Sequence, residues 1–485
     1  HEVLGVVYTA DGQTTSDAVL CAEGSRAAKE WAEMPLSARA PYLRRAAEIL
    51  RERRVSFIAR MMLDVGKSAV RADAEVCEAI DMLTHYAAYA EFLEKLGNAM
   101  LFSPQGEENT TLWKPYGGTF PATAVITPWN FPAAISVGPI AAALVCGHTV
   151  FYKPAEQSSL IGAMVADVFY EAGIPADVLH FLPGFGEEAG RTLVEHPMVS
   201  GIVFTGSSAV RREIQKTIFR WNTEEGRSWR GWYPKKGIAL ESGGKNAIIV
   251  LPDANEDRAL EDVSDSAFAF QGQLCSACSR LIFVTSGTKE GRVWAERFVG
   301  RLRERIESFS IGSPENPKNQ IGPVIDAEAQ EKILSLVRIA EKEGVILAQG
   351  KNPPENGYFV SPVLVGGIDP HSVLAQEEIF GPVLLGFHAE TLEEAIALAN
   401  GTRFSLTGGI HSRNPEVVRE AIRRFDAGNF YVNRRITGAV VGRQPFGGFR
   451  ESGNGTKSGG WTYLLSFLKE VSVSRNTMES GIPME

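Results

Sequence analysis

The chain has 485 residues, more than one ordinary domain holds, and the length suits two or three. Apolar residues make up 44% and charged residues 22%, the balance of a soluble globular protein. A net charge of -9 argues against a broad nucleic-acid or membrane-surface footprint, because both need a basic excess.

No run of ~18 apolar residues occurs, so no transmembrane helix is expected. The longest candidate, 133–145, is short and carries Gly138 and Pro139. The chain opens on His1 without the charged-then-apolar start of a signal peptide, and the expectation is that His1 is not its true beginning. Its five cysteines, Cys21, Cys77, Cys146, Cys275 and Cys278, are odd in number and sparse. That usage fits a reducing compartment, the cytoplasm or a mitochondrial matrix, better than a disulfide framework.

In chain order, 17–92 reads as helix almost throughout, with apolar residues at helical spacing in Leu43, Ala46, Ala47 and Leu50. A short strand follows at 110–114. From Thr119 apolar runs alternate with helical segments. Strands are expected at 122–126, 149–152, 178–182 and 201–204, and helices at 133–144, 161–172 and 187–194. Such alternation predicts an α/β fold with a parallel sheet covered on both faces, whose ligands bind beyond the carboxyl ends of the strands. A second α/β pattern runs from Glu241 to about Phe449, with strands at 247–250, 281–284 and 383–387 and helices at 293–309 and 328–343. The alternating segment 469–474 suits an exposed strand. The tryptophan-rich stretch 221–234 reads as a surface insertion or a subunit contact.

The loops after the strands carry the chemistry. Cys275 lies in Phe270-Gln-Gly-Gln-Leu-Cys-Ser-Ala-Cys-Ser-Arg280. Small and amide residues there offer access and thiolate character to a nucleophile, and Gly272 would let the backbone approach a ligand closely. A buried structural cysteine is the alternative. Cys275 and Cys278 have no second ligand pair nearby, so no metal is expected. Three βα turns could cradle a nucleotide: Pro183-Gly-Phe-Gly186 and onward, Phe204-Thr-Gly-Ser207, and Lys153-Pro-Ala-Glu156. Thr127-Pro-Trp-Asn-Phe-Pro132 follows a strand and offers Asn130 as an amide donor to an oxyanion. Leu240-Glu-Ser-Gly-Gly-Lys245 places Glu241 in a poorly solvated setting that raises a carboxylate toward a useful base.

Together these clusters resemble the aldehyde dehydrogenase superfamily over essentially the whole chain. The order is Pro-Trp-Asn-Phe-Pro, Lys-Pro-Ala-Glu, Phe-Thr-Gly-Ser, Glu-Ser-Gly-Gly-Lys, Gly-Gln-Leu-Cys, Glu-Ile-Phe-Gly-Pro and Pro-Phe-Gly-Gly-Phe. The resemblance implies a Rossmann-type NAD-binding domain (1–97 and 118–240), an α/β catalytic domain (241–450), and a β-strand oligomerisation arm with the C-terminal tail (98–117 and 451–485). It implies a homo-oligomer, a dimer or an assembly of dimers, acting on a small molecule. Carried over, Cys275 is the nucleophile, Asn130 and the Cys275 N–H hold the oxyanion, and Glu241 activates water. NAD would lie along Pro128, Trp129, Lys153, Glu156, Gly186, Gly206 and Ser207, with Glu378 on the nicotinamide ribose and Phe380 beside it.

Within the superfamily, Asn433-Arg-Arg-Ile-Thr-Gly-Ala-Val-Val-Gly442, Cys275-Ser276 and the closing Gln-Pro-Phe-Gly-Gly-Phe are similar to the branch that oxidises glutamate semialdehyde, the 1-pyrroline-5-carboxylate dehydrogenases. There Ser276 and the N–H groups of Gly438 and Ala439 would bind the substrate carboxylate, Phe131 and Phe446 would flank its chain, and Glu78 would lie near. Leu274 and Cys278 depart from that branch, where lysine and a small residue are usual. Two alternatives stay open: a dehydrogenase of another semialdehyde, and a non-catalytic relative, which should have lost Cys275, Glu241 or Asn130.

Overall fold

The computed structural model describes residues 5–98, 101, 103–223 and 234–477, so most of the tryptophan-rich stretch 221–234 and the last residues of the tail lie outside the described residues. The predicted long helix is in fact five: Gly12–Gly24, Arg26–Glu33, Leu36–Glu52, Arg54–Val65 and Ala69–Asn98. Local capping explains the breaks. The Asp11 side chain accepts from the Thr14 N–H at 2.7 Å, and Ser25 accepts from the Ala28 N–H at 3.3 Å. Gly66, at φ 68°, ends the fourth helix in the left-handed region.

Beyond them lies a five-stranded parallel sheet. Across it the strands run Leu179–Phe181, Thr149–Lys153, Ala122–Ile126, Gly201–Thr205 and Lys236–Glu241. The chain starts in the middle at Ala122–Ile126, builds outward to one edge, then returns to build the other. The order therefore reverses between Ala122–Ile126 and Gly201–Thr205, and a crevice opens there beyond the strand ends. Helix Ala134–Val145 is almost wholly apolar and, apart from the half-buried Ile135, enclosed, as such a helix must be. No helix among the described residues is long and apolar enough to cross a membrane.

The second sheet has seven strands in the order Asn429–Val432, Thr407–His411, Asn246–Val250, Cys278–Val284, Val383–Ala389, Val363–Gly366 and Val345–Gln349. All pairs are parallel except the last, where Val345–Gln349 runs antiparallel at the edge. Strand Glu107–Pro115 pairs antiparallel with Leu468–Asn476 as a ribbon of its own. A two-stranded ribbon is marginal in water, and this one leaves Leu112 and Val473 exposed. Residues just before the ribbon fold back instead: the Asn454 N–H donates to the Leu240 carbonyl at 3.1 Å and the Ser242 N–H to the Ser452 carbonyl at 2.9 Å.

Arg39 ties the first helices to the end of helix Ala134–Val145. Its guanidinium is 2% exposed and donates to the carbonyls of Trp31 at 2.9 Å, Val145 at 2.8 Å, Ala32 at 3.0 Å, and Met34. Arg39→Met leaves these acceptors unmatched, and the expected loss of stability is about 2–4 kcal/mol. Chemical denaturation checks it, and a change below about 0.5 kcal/mol, the range of an ordinary surface substitution, contradicts it.

Candidate active site

The turn Pro128–Pro132 sits at the crevice where the strand order reverses and divides it. Trp129 faces a cleft also lined by Pro128, Lys153, Glu156, Gly186, Gly206 and Ser207. Phe131 faces a second cavity, lined among others by Glu78, Glu241, Cys275, Ser276, Gly438, Ala439 and Phe446. Asn130 lies between them, 4% exposed, with its Nδ2 donating to the Gln273 carbonyl at 3.0 Å. The sequence-derived residues thus gather into two adjoining spaces. Glu378 and Phe380 join neither lining but stand at the partition. The Phe380 ring meets Trp129 edge-on at 5.7 Å, and the Glu378 carboxylate accepts from the Gly244 N–H at 3.0 Å. A Cβ on Gly243 would lie 2.0 Å from that carboxylate, so only glycine admits it.

The cysteine loop is held from several sides. Helix Glu256–Phe268 runs into a turn in which Phe270 (φ 51°), Gln271 (φ 57°) and Gly272 (φ 70°) are all left-handed. Gln271 donates to the Pro323 carbonyl at 2.7 Å, and the Gln273 Oε1 accepts from the Ile325 N–H at 2.9 Å. Asn246 donates to the carbonyls of Cys275 and Ala277, both at 2.8 Å. Gly272 is required by the chain itself. Its missing Cβ makes room for the Gly381 carbonyl, 2.3 Å from where that carbon would stand.

Electrostatics in the cavity follow from desolvation. Burial pushes the Glu241 carboxyl up to about 8; Lys457 pulls it down and Glu78 adds to the rise. Burial likewise lifts Glu78 to about 8 and Glu378 to about 7. Burial also pushes the Cys275 thiol well above its usual range, with the Glu241 and Glu378 carboxylates adding to it. The loop therefore offers access, as expected, but not resting thiolate character.

Sequence reasoning missed what holds the dividing turn. Lys67 and Glu75, each 1% exposed, form an ion pair under it. Lys67 also donates to the Asn130 carbonyl at 2.6 Å, and Glu75 accepts from the N–H groups of Ala133 at 2.8 Å and Ala134 at 3.2 Å. Two charges in a helical stretch look like solvated surface in a sequence; nothing local marks them as buried. Asn246 was missed for the same reason, as one amide at the start of an apolar strand.

A dinucleotide-type parallel sheet is joined to a second sheet, and a thiol and a desolvated carboxylate share one cavity; a dinucleotide-binding enzyme of the α/β class is the arrangement this fits. The chain belongs to the aldehyde dehydrogenase family, whose profile matches residues 1–473. It is 38% identical to a 1-pyrroline-5-carboxylate dehydrogenase of Geobacillus sp. (strain WCH70) over 98% of this chain and 88% of the relative. A Thermus 1-pyrroline-5-carboxylate dehydrogenase crystallised with bound NAD is 39% identical, with a TM-score of 0.88 over 96% of this chain and 86% of that one. Proline utilization A from Bdellovibrio bacteriovorus matches at 39% identity and a TM-score of 0.90 over 98% of this chain, which spans 47% of that larger protein.

Glu75→Gln would leave the Lys67 ammonium buried without its counter-charge. The expected cost is about 3–5 kcal/mol, read as a lowered denaturation midpoint. A loss under about 1 kcal/mol, the scale of an exposed pair, would show that water reaches it in solution.

Proposed function

We propose that the chain oxidises L-glutamate γ-semialdehyde, in equilibrium with 1-pyrroline-5-carboxylate, to L-glutamate with NAD, in proline catabolism. One observation carries the substrate: Ser276 and the Gly438–Ala439 turn line the same cavity as Cys275 and Glu241. The N–H groups of Gly438 and Ala439 meet no acceptor among the described residues. With the Ser276 hydroxyl they form donors without acceptors, which suits a carboxylate. Phe131 and Phe446 give the methylene chain apolar walls.

The cofactor cleft fits a dinucleotide. A Cβ on Gly186 would meet nothing within 4 Å, so that loop leaves room for a ligand. Lys153, 3% exposed, is braced by Glu156 at 2.9 Å, so both stand ready for ribose hydroxyls. Ser207 immediately precedes helix Ser208–Thr223, whose N–H groups favour phosphate. Pro128, Trp129 and Gly206 complete the lining, and Glu378 and Phe380 would take the nicotinamide end. Bound NAD would supply the two-electron acceptor for the hydride.

The chain's own residues do the rest. Cys275 releases its thiol proton to solvent as Sγ adds to the aldehyde carbon, Asn130 Nδ2 with the Cys275 N–H stabilises the oxyanion of the thiohemiacetal, and loss of hydride from that carbon to the bound dinucleotide would leave a thioester. Glu241 takes a proton from the water that attacks the thioester, and the thiol departs. The domain division is that of 1–97 with 118–240, 241–450, and 98–117 with 451–485. The ribbon Glu107–Pro115 with Leu468–Asn476 is the oligomerisation arm of a cytoplasmic homo-oligomer.

Two measurements test this reading. Ser276→Ala removes a charge-assisted hydrogen bond worth ~1.5–3 kcal/mol, so kcat/KM for glutamate semialdehyde falls roughly ten- to a hundredfold. Pentanal, which lacks the carboxylate, keeps its rate; equal losses for both aldehydes would refute the carboxylate site. The second concerns pH. A base works ionised, and Glu241 is held up to about 8, so deacylation accelerates as pH rises through that value. Glu241→Gln abolishes the inflection, whereas a parent profile flat between about pH 7 and 9 removes Glu241 from the role.

A further inference from the structure

The carboxylate turn and the nucleophile lie far apart in sequence but are fastened to one helix. Glu256–Phe268 leads directly into the turn Ala269–Gly272 that presents Cys275 and Ser276. The last residues of that helix also grip the loop carrying Gly438. Ser266, fully buried, accepts from the Ile436 N–H at 3.1 Å. Asp265 pairs with Arg435 at 3.1 Å, and its other oxygen pairs with Arg71. Arg71 belongs to helix Ala69–Asn98, the helix that carries Glu78. The Arg435 guanidinium in turn lies against the turn itself. A Cβ on Gly438, which sits at φ 71°, would come 3.4 Å from its NH2.

We infer that Ser266, Asp265 and Arg435 form a staple that sets the separation between the Gly438–Ala439 donors and the Cys275 thiol, and so selects the chain length of the carboxylated aldehyde. This rests on the substrate reading above. An aldehyde carbon reaches the sulfur only if its carboxylate lies one fixed chain length away, and misplacement by about 1 Å costs roughly a hundredfold. One helix runs on into the cysteine turn and is hydrogen-bonded to the Gly438 loop, which makes that separation a property of the helix. Ser266 and Asp265 line neither cavity beside the thiol, and Arg435 borders the space at Ser276, Gly438 and Ala439 without reaching Cys275; they act as positioning residues.

The test uses ω-oxo carboxylates of four, five and six carbons, with pentanal as the neutral control. The parent enzyme should prefer the five-carbon acid. In Ser266→Ala and Arg435→Gln that preference over the four- and six-carbon acids should fall roughly tenfold, mainly through KM, with pentanal unchanged. Arg435→Lys, which keeps a cation for Asp265, should restore part of it. Chain-length ratios equal to the parent's in both Ser266→Ala and Arg435→Gln overturn the staple, as does a parallel loss on pentanal, which marks a merely structural role. A parent that treats the five-carbon acid no better than pentanal instead overturns the carboxylate site itself, a different result from either.

Discussion

The site is organised around one buried ion pair. Lys67 and Glu75 are each costly alone in a dry interior, and each is kept by the other. What they gain beyond mutual charge is backbone. Helix Ala134–Val145 has no side-chain cap of its own. Its first N–H groups turn instead to the Glu75 carboxylate, supplied by helix Ala69–Asn98. A carboxylate at a helix N-terminus is favourable for both the orphan donors and the dipole. Lys67 closes the arrangement on the Asn130 carbonyl. The turn between strand Ala122–Ile126 and this helix is thereby fixed from below, and so are the three residues that look out of it in different directions: Trp129, Asn130 and Phe131.

Desolvation then sets the charge of the cavity. Three carboxyls, Glu78, Glu241 and Glu378, are lifted to about 8, 8 and 7 by burial, and Glu78 adds to the rise of Glu241. Burial thus disfavours their charged forms. That matters for a ligand bearing its own carboxylate, which anions at Glu78 and Glu241 in the same cavity would repel. The same scarcity of water pushes the Cys275 thiol up. Burial thus opposes ionisation of the base and the nucleophile alike.

Much of this could be read from the sequence because the informative residues stand at strand ends. Expected strands at 122–126 and 201–204 match Ala122–Ile126 and Gly201–Thr205 closely. There the apolar run is short, branched and ended by glycine or proline. Helix boundaries in 17–92 were lost because Ser25 and Gly66 act through caps, and a cap is visible only once the backbone is placed. Motif order led to Cys275, Glu241 and Asn130, since each sits on a loop whose small neighbours mark close approach. The supports were not legible. Lys67 and Glu75 are only eight residues apart, but the backbone they hold and the partners of Asn246 and Ser266 lie 29 to 170 residues away, and no local pattern distinguishes them from polar surface.

Backbone strain adds the last constraint. Among the described residues six non-glycines, Ser286 and Arg450 among them, are left-handed, a conformation that costs about 1–3 kcal/mol each where a side chain is bulky; the four at the site are Phe270, Gln271, Phe380 and Asn433. They occupy the three loops that carry the cysteine, Glu378 and the Gly438 turn. Each is over-determined by a neighbour. Gln271 is tied to Pro323, Phe380 rests against Trp129, and Asn433 exchanges hydrogen bonds with Ser412 at 3.0 and 2.9 Å. A loop free to relax would abandon such angles, so their persistence measures how firmly the two sheets hold the rim. Recognition here relies on preorganisation: thiol, amide and carboxylate donors stand at fixed separations before any ligand arrives, and the stability of both sheets maintains the strained loops between them.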